Sequence, residues 1–485
     1  MQNVTKPTTL IFVAHWIIVI ALSIRVIMRR LSAGVSLAWL AVVFSVPFVG
    51  ALIYLLIGEN RIGDKYQERT ARIHDIYSEW QRRLRERASL DRSTVNGEVK
   101  PLQYHAEAVV GFPPMQGNQL KLMDDFRSVF ESIIADLDRA KRTCHFEFYI
   151  WHVGGMADQV AEALIRASER GVVCRVLVDA IGSKPFLRSK LAQRLRDSGI
   201  QLVASLPVGL IRILMRRADL RNHRKIIVID GEIAYTGSQN LVDPRFFKQD
   251  EGVGQWIDAM VRTQGPSVEA LGGTFIEDWQ IETGEGLTTL ETTSDIHSVT
   301  EKGPSAVQVV PSGPAFRPET IHQLLLAVVY TARKELVLTT PYFVPDDALL
   351  TALISAAHRG VEVTIVVPSE VDSRLVHYAS RSLFDDLLAA GVGIASFKGG
   401  LLHTKSITVD GKMCVFGSVN LDMRSLWLDF EISLFVYDPD FTIKLRAMQT
   451  KYIEDSEMMN LIEWRRRPSI QRFIENAAHL IGPLL

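Results

Sequence analysis

Two stretches of this chain carry the same spaced pattern of residues. Residues 223–240 read HRKIIVIDGEIAYTGSQN, and residues 403–420 read HTKSITVDGKMCVFGSVN. His, Lys, Asp, Gly, Ser and Asn recur at identical spacings, and the second copy begins 180 positions after the first. Solenoid repeats recur every ~20–50 residues, so this distance predicts one duplicated large unit instead.

Each copy is predicted to form a β-hairpin that presents a histidine and a lysine. Alternate residues of a strand face the same side, so His223 and Lys225 project together. Asp230-Gly231 is a strong signal for a tight turn, and Gly237 allows the backbone to approach a ligand closely. Ser238 and Asn240 complete the first copy. The second copy supplies His403, Lys405, Asp410, Gly417, Ser418 and Asn420.

The surrounding sequence alternates between strand and helix patterns. EFYIW (147–151) and VVCRVLVDA (172–180) are predicted strands, and DQVAEALIRASERG (158–171) is a predicted amphipathic helix that ends at its glycine. The unit recurs, since ALIRASERGVVCRVLVD begins at residue 163 and ALISAAHRGVEVTIVVP begins at residue 352. The pattern indicates an α/β fold built from two related halves.

Two further carboxylates repeat the symmetry. Glu251 lies 28 residues after His223, and Glu431 lies 28 residues after His403. A carboxylate that reaches one imidazole nitrogen fixes the tautomer and raises the basicity of the other nitrogen. The spacing therefore predicts that Glu251 and Glu431 support the two histidines.

Together these residues suit the chemistry of a phosphodiester. Lysine and asparagine side chains can bind its non-bridging oxygens. One histidine can attack phosphorus and form a covalent intermediate, while the other protonates the leaving oxygen and then deprotonates the acceptor. Two ammonium groups supply the charge stabilisation, so the pattern predicts catalysis without a metal or another cofactor.

The composition narrows the class of protein. Hydrophobic residues make up 47% of the 485 positions, which argues against global disorder, and the formal net charge of −1 gives no bulk indication of nucleic-acid binding. The three cysteines are scattered and form no Cys-x-x-Cys or Cys/His cluster. Neither a disulfide framework nor a zinc site is expected, and a reducing compartment fits best.

Two apolar runs near the N-terminus predict membrane insertion. Residues 10–28 and 37–57 are each close to the ~20 residues that a helix needs to cross a bilayer. Two runs, with no small-residue cleavage site after the first, argue against a signal peptide. We expect two transmembrane helices, and the flanking Lys and Arg residues favour both termini, and with them the catalytic part, in the cytoplasm.

The chain resembles the phospholipase D superfamily, whose HxKxxxxD motif it contains twice, and within it the bacterial cardiolipin synthases. The resemblance to these synthases extends over nearly the whole chain, through FYIWHVGGMADQVAEAL (148–164), AYTGSQNLVDPRFFKQDEGVGQWID (234–258), TTPYFVPDDALL (339–350) and GSVNLDMRSLWLDFEI (417–432). It implies two phospholipase D-like halves, each a mixed sheet flanked by helices, with one site at their pseudo-twofold interface.

The resemblance also implies a reaction and its residues. Two molecules of phosphatidylglycerol would give cardiolipin and glycerol at the inner membrane of a bacterium, with an anionic membrane surface as partner. By analogy with relatives, His223 is assigned as nucleophile and His403 as acid and base, although the sequence cannot rank two near-identical motifs. Catalytic roles are implied for His223, Lys225, Asp230, His403, Lys405 and Asp410. The aspartates are expected to stabilise their turns more than to contact substrate.

The predicted organisation has six parts. These are two transmembrane helices (1–60), a juxtamembrane helix and linker (61–110), the first phospholipase D-like half (111–287), a Thr- and Ser-rich linker (288–305), the second half (306–460) and a basic amphipathic tail (461–485).

Two basic segments each have two interpretations. Residues 212–225, RILMRRADLRNHRK, fit a contact with anionic headgroups or a solvated helix face. In the tail, a basic cluster precedes a helical pattern that can lie in the membrane interface or pack against the catalytic halves. Its apolar positions are Ile470, Phe473, Ile474, Ala477 and Ile481.

Several alternatives stay open on sequence grounds. A phospholipase D that uses water as acceptor would need the same residues, and phosphatidylethanolamine could replace the second phosphatidylglycerol. The apolar runs and balanced charge count against a nucleic-acid phosphodiesterase. A scaffold with a relict site would show decay in one motif, yet both are intact. The DGxxAR pattern of CDP-alcohol transferases is absent from the sequence, so a CDP-diacylglycerol donor is not expected.

Overall fold

A computed structural model describes most of the chain. It covers residues 7–29, 33–46, 48–58, 64–88, 90, 97–207, 217, 219–285, 297–314 and 319–480. The chain forms two compact units, one of residues 1–67 with 208–220 and the other of residues 68–207 with 221–485.

Eighteen helices are described within these ranges. They are α1 Pro7–Met28, α2 Ala33–Ser45, α3 Val49–Ile57, α4 Asp64–Ala88, α5 Lys100–Val110, α6 Phe126–Arg139, α7 Met156–Glu169, α8 Lys184–Leu187, α9 Lys190–Asp197, α10 Ser267–Thr283, α11 Thr320–Thr331, α12 Asp347–His358, α13 Arg374–Ser382, α14 Phe384–Ala389, α15 Met423–Trp427, α16 Pro439–Glu454, α17 Leu461–Arg465 and α18 Ser469–His479.

Nineteen strands are described in the same ranges. They are β1 Met115–Met123, β2 Thr143–Phe148, β3 Val173–Asp179, β4 Gln201–Ser205, β5 Ile226–Ile229, β6 Ile233–Gly237, β7 Trp256–Ile257, β8 Met260–Gln264, β9 Ser305–Ser312, β10 Glu335–Thr339, β11 Phe343–Val344, β12 Glu362–Pro368, β13 Gly393–Phe397, β14 Leu401–Leu402, β15 Ser406–Val409, β16 Met413–Gly417, β17 Leu421–Asp422, β18 Glu431–Val436 and β19 Ser456–Met458.

The first unit is helical and apolar. Among the described helices, the segment Thr9–Met28 is the one that is long and apolar enough to cross a bilayer. The second apolar run differs from the single span predicted over 37–57. Helix α2 ends at Ser45, Phe48 adopts a φ of 57°, and α3 begins at Val49. The sequence places Pro47 at this break, and proline lacks the N–H that would continue a helix.

A 15-stranded sheet organises the second unit. Its order is β19-β13-β12-β10-β15-β16-β18-β9-β1-β8-β6-β5-β2-β3-β4. Read outward from the central antiparallel pair of β1 and β9, both halves show the same sequence of strands. The outer strands β2, β3 and β4 run parallel, as do β10, β12 and β13, whereas the inner strands are antiparallel. The α/β class with two related mixed-sheet halves is therefore confirmed.

Helices cover both faces of this sheet. Helix α10 is buried along nearly its whole length and packs over the first half. One apolar cluster draws residues from both halves, including Val228, Phe275, Val309 and Leu434, all fully buried. The halves therefore share a continuous core, which fixes the position of one motif relative to the other.

Two predictions fall partly outside the described residues. Most of the linker predicted over 288–305 lies in residues 286–296, which the structure does not describe, and β9 begins at Ser305. The three cysteines are free and buried in the sheet.

Candidate active site

Two equivalent hairpins carry the repeated motif. Strands β5 and β6 pair antiparallel, as do β15 and β16. Asp230 and Gly231 have φ angles of 55° and 68°, and Asp410 and Gly411 have 53° and 66°. Positive φ at both central positions is typical of the type I′ turn that the Asp-Gly pairs predict. The histidines and lysines lie in extended segments just before β5 and β15.

The motif aspartates lie at the turn end of these hairpins. The Asp230 carboxylate accepts hydrogen bonds from the backbone N–H groups of Lys141, Arg142 and Thr143 at 2.7–3.1 Å. Asp410 accepts three equivalent bonds, from residues 333–335, at 2.7–2.9 Å. Each turn is thereby tied to the start of a neighbouring strand. The seven residues from His223 to Asp230 span roughly 20 Å in extended chain, so the carboxylate supports the hairpin.

We expect Asp230→Ala to lower the free energy of unfolding by about 1–3 kcal/mol, because three backbone donors lose their acceptor. Alanine is also disfavoured at a positive φ, where Asp and Asn are tolerated. Thermal unfolding of the detergent-solubilised protein measures the change. Asp230→Asn keeps one acceptor oxygen and should lose less, and equal stability of the alanine variant and the unaltered protein would contradict the anchoring role.

Each histidine is held by a carboxylate from the opposite half. His223 Nδ1 lies 2.9 Å and 3.1 Å from the two carboxylate oxygens of Glu431. His403 Nδ1 lies 2.7 Å from Oδ1 of Asp258. The backbone follows the same exchange, since His223 N–H donates to the carbonyl of Phe430 at 2.9 Å and His403 N–H to that of Ile257 at 2.8 Å. This crossed pairing makes the two motifs parts of one site.

Glu251 does not take part in this pairing, and its predicted place is corrected. It lies in a short 3₁₀ segment, Gln249–Glu251, and its carboxylate forms an ion pair with Lys248 at 3.2 Å. The structural counterpart of Glu431 is Asp258. Asp258 lies 35 residues after His223, seven more than separate Glu431 from His403. A longer loop in the first half therefore displaced the equivalence that the shared spacing of 28 had suggested.

Serines of the two motifs hold these carboxylates in place. Ser418 Oγ donates to Glu431, and Ser425 Oγ donates to the same carboxylate at 2.7 Å. Ser238 hydrogen-bonds Asp258 and accepts the N–H of Ala259 at 3.1 Å. The glycine before each serine is required by close packing, because a Cβ at Gly417 would lie 2.3 Å from the Ile432 carbonyl. The structure thus places both serines behind the histidines as supports.

Two buried lysines face the histidines. Nζ of Lys225 donates to the His223 carbonyl and Nζ of Lys405 to the His403 carbonyl, both at 2.6 Å. Burial lowers the pKa of Lys225 to about 8 and that of Lys405 to about 7. Each ammonium group is thus partly desolvated, and an anion that entered between them would restore its favourable interactions.

The motif asparagines each keep a buried amide atom without a partner in the described part of the chain. Oδ1 of Asn240 accepts the N–H of Ile150 at 3.1 Å, which leaves its Nδ2 unbonded. The side-chain oxygen of Asn420 is likewise unbonded. Buried polar atoms are normally paired, so their state here indicates a place for a polar ligand.

The electrostatics keep both imidazoles neutral near pH 7. Burial, reinforced by Lys225 and Lys405, holds the pKa of His223 well below its usual value. Burial also lowers the pKa of His403 to about 4, against the opposing pull of Asp258. A neutral ring that donates from Nδ1 to a carboxylate keeps a lone pair on Nε2, which a nucleophile or general base requires.

The two carboxylates differ in charge state. Burial raises the pKa of Glu431 to about 7. Burial would also raise the pKa of Asp258, but His403 and Lys405 hold it below its usual range. Aromatic contacts differ too: the Tyr149 ring lies 5.0 Å from that of His223, and the Trp256 ring lies 4.4 Å from that of His403. The structure therefore separates two histidines that the sequence could not rank.

The middle residue of each His-x-Lys segment points away from the site and fixes the backbone of the opposite half. Arg224 is fully buried, pairs with Asp278 and donates from Nε to the Glu431 carbonyl at 3.1 Å. Thr404 Oγ1 donates to the Ile257 carbonyl at 3.1 Å.

The burial of Arg224 and Lys225 corrects the sequence-based interpretation of residues 212–225 as a headgroup contact for these two positions. Residues 212–216 lie outside the described part of the chain, and Arg217 pairs with Asp219 at 2.6 Å.

Four residues of this site were missed by the sequence-based analysis: Asp258, Tyr149, Trp256 and Arg224. A signal for Asp258 exists, because it precedes the strand that pairs with the motif hairpin, as Glu431 begins the equivalent strand β18. Counting from the strands instead of from the histidines would have found it.

Comparison with known proteins gives consistent matches. The family model described as "Cardiolipin synthase, PLD-like domain" matches residues 133–264 and 325–452. A second model, described as phospholipase D-nuclease N-terminal, matches residues 17–59. Cardiolipin synthase A of Pectobacterium carotovorum subsp. carotovorum (strain PC1) is 44% identical over 482 residues, 99% of each chain. The protein of the same name from Edwardsiella ictaluri (strain 93-146) is 44% identical over 472 residues, 97% of each chain.

Among solved structures, the phosphatidylserine synthase of Haemophilus influenzae Rd KW20 superposes with a TM-score of 0.60. The superposition covers 80% of this chain and 100% of that chain at 14% identity, which is evidence for a shared fold alone.

Proposed function

Since the chain belongs to the family of cardiolipin synthases with phospholipase D-like domains, we propose that it transfers a phosphatidyl group from one phosphatidylglycerol to another, giving cardiolipin and glycerol. The observation that carries the proposal is the crossed pairing of His223 with Glu431 and of His403 with Asp258 around two buried lysines. One phosphodiester fits between two imidazoles that come from opposite halves.

In the first step, Nε2 of His223 attacks phosphorus and the bond from phosphorus to the glycerol oxygen breaks. His403 supplies the proton that the departing glycerol takes up. The lowered pKa of His223 supports its role as nucleophile, because the ring is unprotonated before substrate enters. Its assignment over His403 follows the analogy with related enzymes. The product of this step is a phosphatidyl group bound to His223.

In the second step, a glycerol hydroxyl of another phosphatidylglycerol attacks the same phosphorus. His403 removes the hydroxyl proton, the bond from phosphorus to His223 breaks, and cardiolipin leaves. Lys225, Lys405, Asn240 and Asn420 are placed to bind the non-bridging oxygens in both steps. Each step exchanges one phosphodiester for another, so the reaction should be nearly thermoneutral, and added glycerol should reverse it.

Water must be kept from the phosphohistidine. Trp256, which contacts His403, belongs to a buried apolar cluster with Phe247 and Leu401 from the two halves. Lys248 Nζ lies 3.1 Å from Asp372 across the same boundary, and Tyr342 donates to that carboxylate at 2.7 Å. This closed edge supports transfer to a lipid hydroxyl over hydrolysis.

The membrane placement is part of the same proposal. Helix α1 supports membrane association, and the two apolar runs are proposed to give two spans, with α2 and α3 forming the second as a broken segment. Both termini and the catalytic unit would then face the cytoplasm at the bacterial inner membrane, where phosphatidylglycerol is both substrate and the source of an anionic surface.

We expect kcat/KM to fall as pH rises from 7 to 9. A lysine with a lowered pKa loses its charge as pH passes that value, and burial places the pKa of Lys405 at about 7 and that of Lys225 at about 8. The kcat/KM profile reports the free enzyme, so it should show these losses. Lys405→Arg should move the lower limb upward, since a guanidinium stays protonated. A flat profile from pH 7 to 9 would contradict this account of the lysines.

The test of the proposed function uses full-length protein in detergent micelles with phosphatidylglycerol as sole lipid. Mass spectrometry follows the lipids and an enzymatic assay follows glycerol. Cardiolipin and glycerol formed in equal amounts support the proposal. Phosphatidic acid as main product would mean that water intercepts the intermediate, and the protein would then be a hydrolase. Adding phosphatidylethanolamine and measuring ethanolamine shows whether a second donor is accepted.

A further inference from the structure

The C-terminal helix α18 presents its apolar side to solvent. The side chains of Ile470, Phe473 and Ile474 are 66%, 69% and 43% exposed. Positions 470, 473 and 474 share one face of a helix with residues 477 and 481. Most helices on a folded domain direct such a face into the core, and α18 does the opposite.

The other side of α18 is firmly attached to the catalytic unit. Glu475 is buried and accepts hydrogen bonds from Arg381 of α13 at 2.9 Å and from Arg467 at 3.0 Å. Ala478 packs with Val344 and Ala379. A buried carboxylate held by two arginines fixes the rotation of the helix, because turning it would leave a charge unpaired in the interior. The outward orientation of the apolar side is therefore imposed by the fold.

The charge around this face is complementary to an anionic surface. Between residues 464 and 475 the chain carries four arginines and one glutamate, and that glutamate is the buried Glu475. Arg465, Arg466 and Arg472 are exposed. Apolar side chains flanked by arginines are typical of helices that lie in the interface of an anionic bilayer.

The helix is also close to the proposed acceptor side of the site. Helix α13, on which α18 packs, begins at Arg374, two residues after Asp372. Asp372 pairs with Lys248, whose Nζ lies 5.8 Å from the Trp256 ring centroid. Trp256 contacts His403. One helix therefore separates the exposed apolar side from the edge of the catalytic site.

We propose that α18 is a bilayer-docking helix that inserts Ile470, Phe473 and Ile474 into the surface of a membrane containing anionic phospholipid. The inference rests on the proposed function for its consequence, which is that docking presents membrane lipids to the site. The occupant of the face is the bilayer surface, and pairing of two chains through this face is the outcome that would overturn the proposal.

A fluorescent probe tests the insertion directly in full-length protein reconstituted into phosphatidylglycerol-containing vesicles. Phe473→Cys carries an environment-sensitive dye, and brominated lipids serve as quencher; Cys144, Cys174 and Cys414 are buried and react poorly. Ile443→Cys on α16 is the matched control, since Ile443 is 58% exposed outside this face. Insertion predicts a blue shift and strong quenching at residue 473 and little change at 443. A dye at 473 that stays unquenched, or that cross-links to its copy in a second chain, would overturn the proposal.

Activity gives a second readout. The triple variant Ile470→Ser, Phe473→Ser, Ile474→Ser should form cardiolipin on the order of tenfold more slowly in bilayers, yet match the unaltered protein with short-chain phosphatidylglycerol dispersed in detergent. An equal rate in bilayers would contradict docking. Failure of the proposed function is distinguishable, because the unaltered protein would then make no cardiolipin in either medium while the quenching result stayed readable.

Discussion

Replacing either motif histidine, as His223→Ala or His403→Ala, is expected to lower cardiolipin formation by about 10⁴-fold or more. The first variant lacks the atom that attacks phosphorus, and the second lacks the group that exchanges protons with glycerol and with the acceptor hydroxyl. Because the two rings come from opposite halves yet serve one phosphodiester, loss of either should be nearly as damaging as loss of both.

Initial rates of cardiolipin formation from phosphatidylglycerol measure this effect. His297→Ala is the matched control, since His297 lies outside the site and contacts Glu232 at 3.2 Å. Its rate should stay within a few-fold of that of the unaltered protein, and thermal unfolding should show that all three variants are folded. Retention of more than about a tenth of the activity in either motif variant would mean that each half works alone, contrary to the single shared site.

The second large effect is expected at the carboxylates that cross between the halves. Glu431→Gln and Asp258→Asn should each lower kcat by about 10²–10⁴-fold, as is typical when an imidazole loses the anionic partner that sets its tautomer. Glutamine keeps the shape of Glu431 but can no longer accept the Nδ1 proton with a full charge. The ring then reaches the transition state with its positive charge uncompensated.

Glu251→Gln provides the decisive control for these variants. Its position relative to His223 equals that of Glu431 relative to His403, yet its carboxylate pairs with Lys248. We expect it to change kcat by no more than a few-fold. A Glu251 variant as inactive as Glu431→Gln, or an Asp258→Asn variant with normal kcat, would contradict the crossed arrangement. A KM that stays within a few-fold in the impaired variants would show that binding is preserved.

The hairpins could be predicted from the sequence because their geometry is local. Alternation along a strand places His223 with Lys225, and an Asp-Gly pair selects a turn with positive φ at both residues. The repetition of this pattern then predicted two equivalent halves, which the mirrored strand order on either side of β1 and β9 confirms.

The pairing across the halves was not predictable in the same way. Which carboxylate reaches which histidine depends on how two sheets join, and a seven-residue difference in loop length moved Asp258 away from the position that counting predicted. Arg224 illustrates a related limit. In the sequence it belongs to a basic cluster, but alternation turns it away from its two neighbours and into a buried pair with Asp278.

The apolar helices show where periodicity alone is insufficient. Residues 37–57 have the length and composition of one span, yet a single proline separates α2 from α3. In the tail, helical spacing identified the apolar side of α18 but not its direction. That direction depends on Glu475 finding Arg381 and Arg467, which are distant from it in the chain or placed by a separate turn.

The central claim is that a phosphatidyl group is carried on His223 while His403 moves the protons. Its most direct test uses His403→Ala and phosphatidyl-p-nitrophenol, whose nitrophenolate leaves without a proton. The bond from Nε2 to phosphorus should form, nitrophenolate should appear in an amount equal to the enzyme, and turnover should then stop. Mass spectrometry of the digested protein should find the phosphatidyl group on the peptide that contains His223. Nitrophenolate release without any covalent adduct, or an adduct on a different residue, would contradict the account.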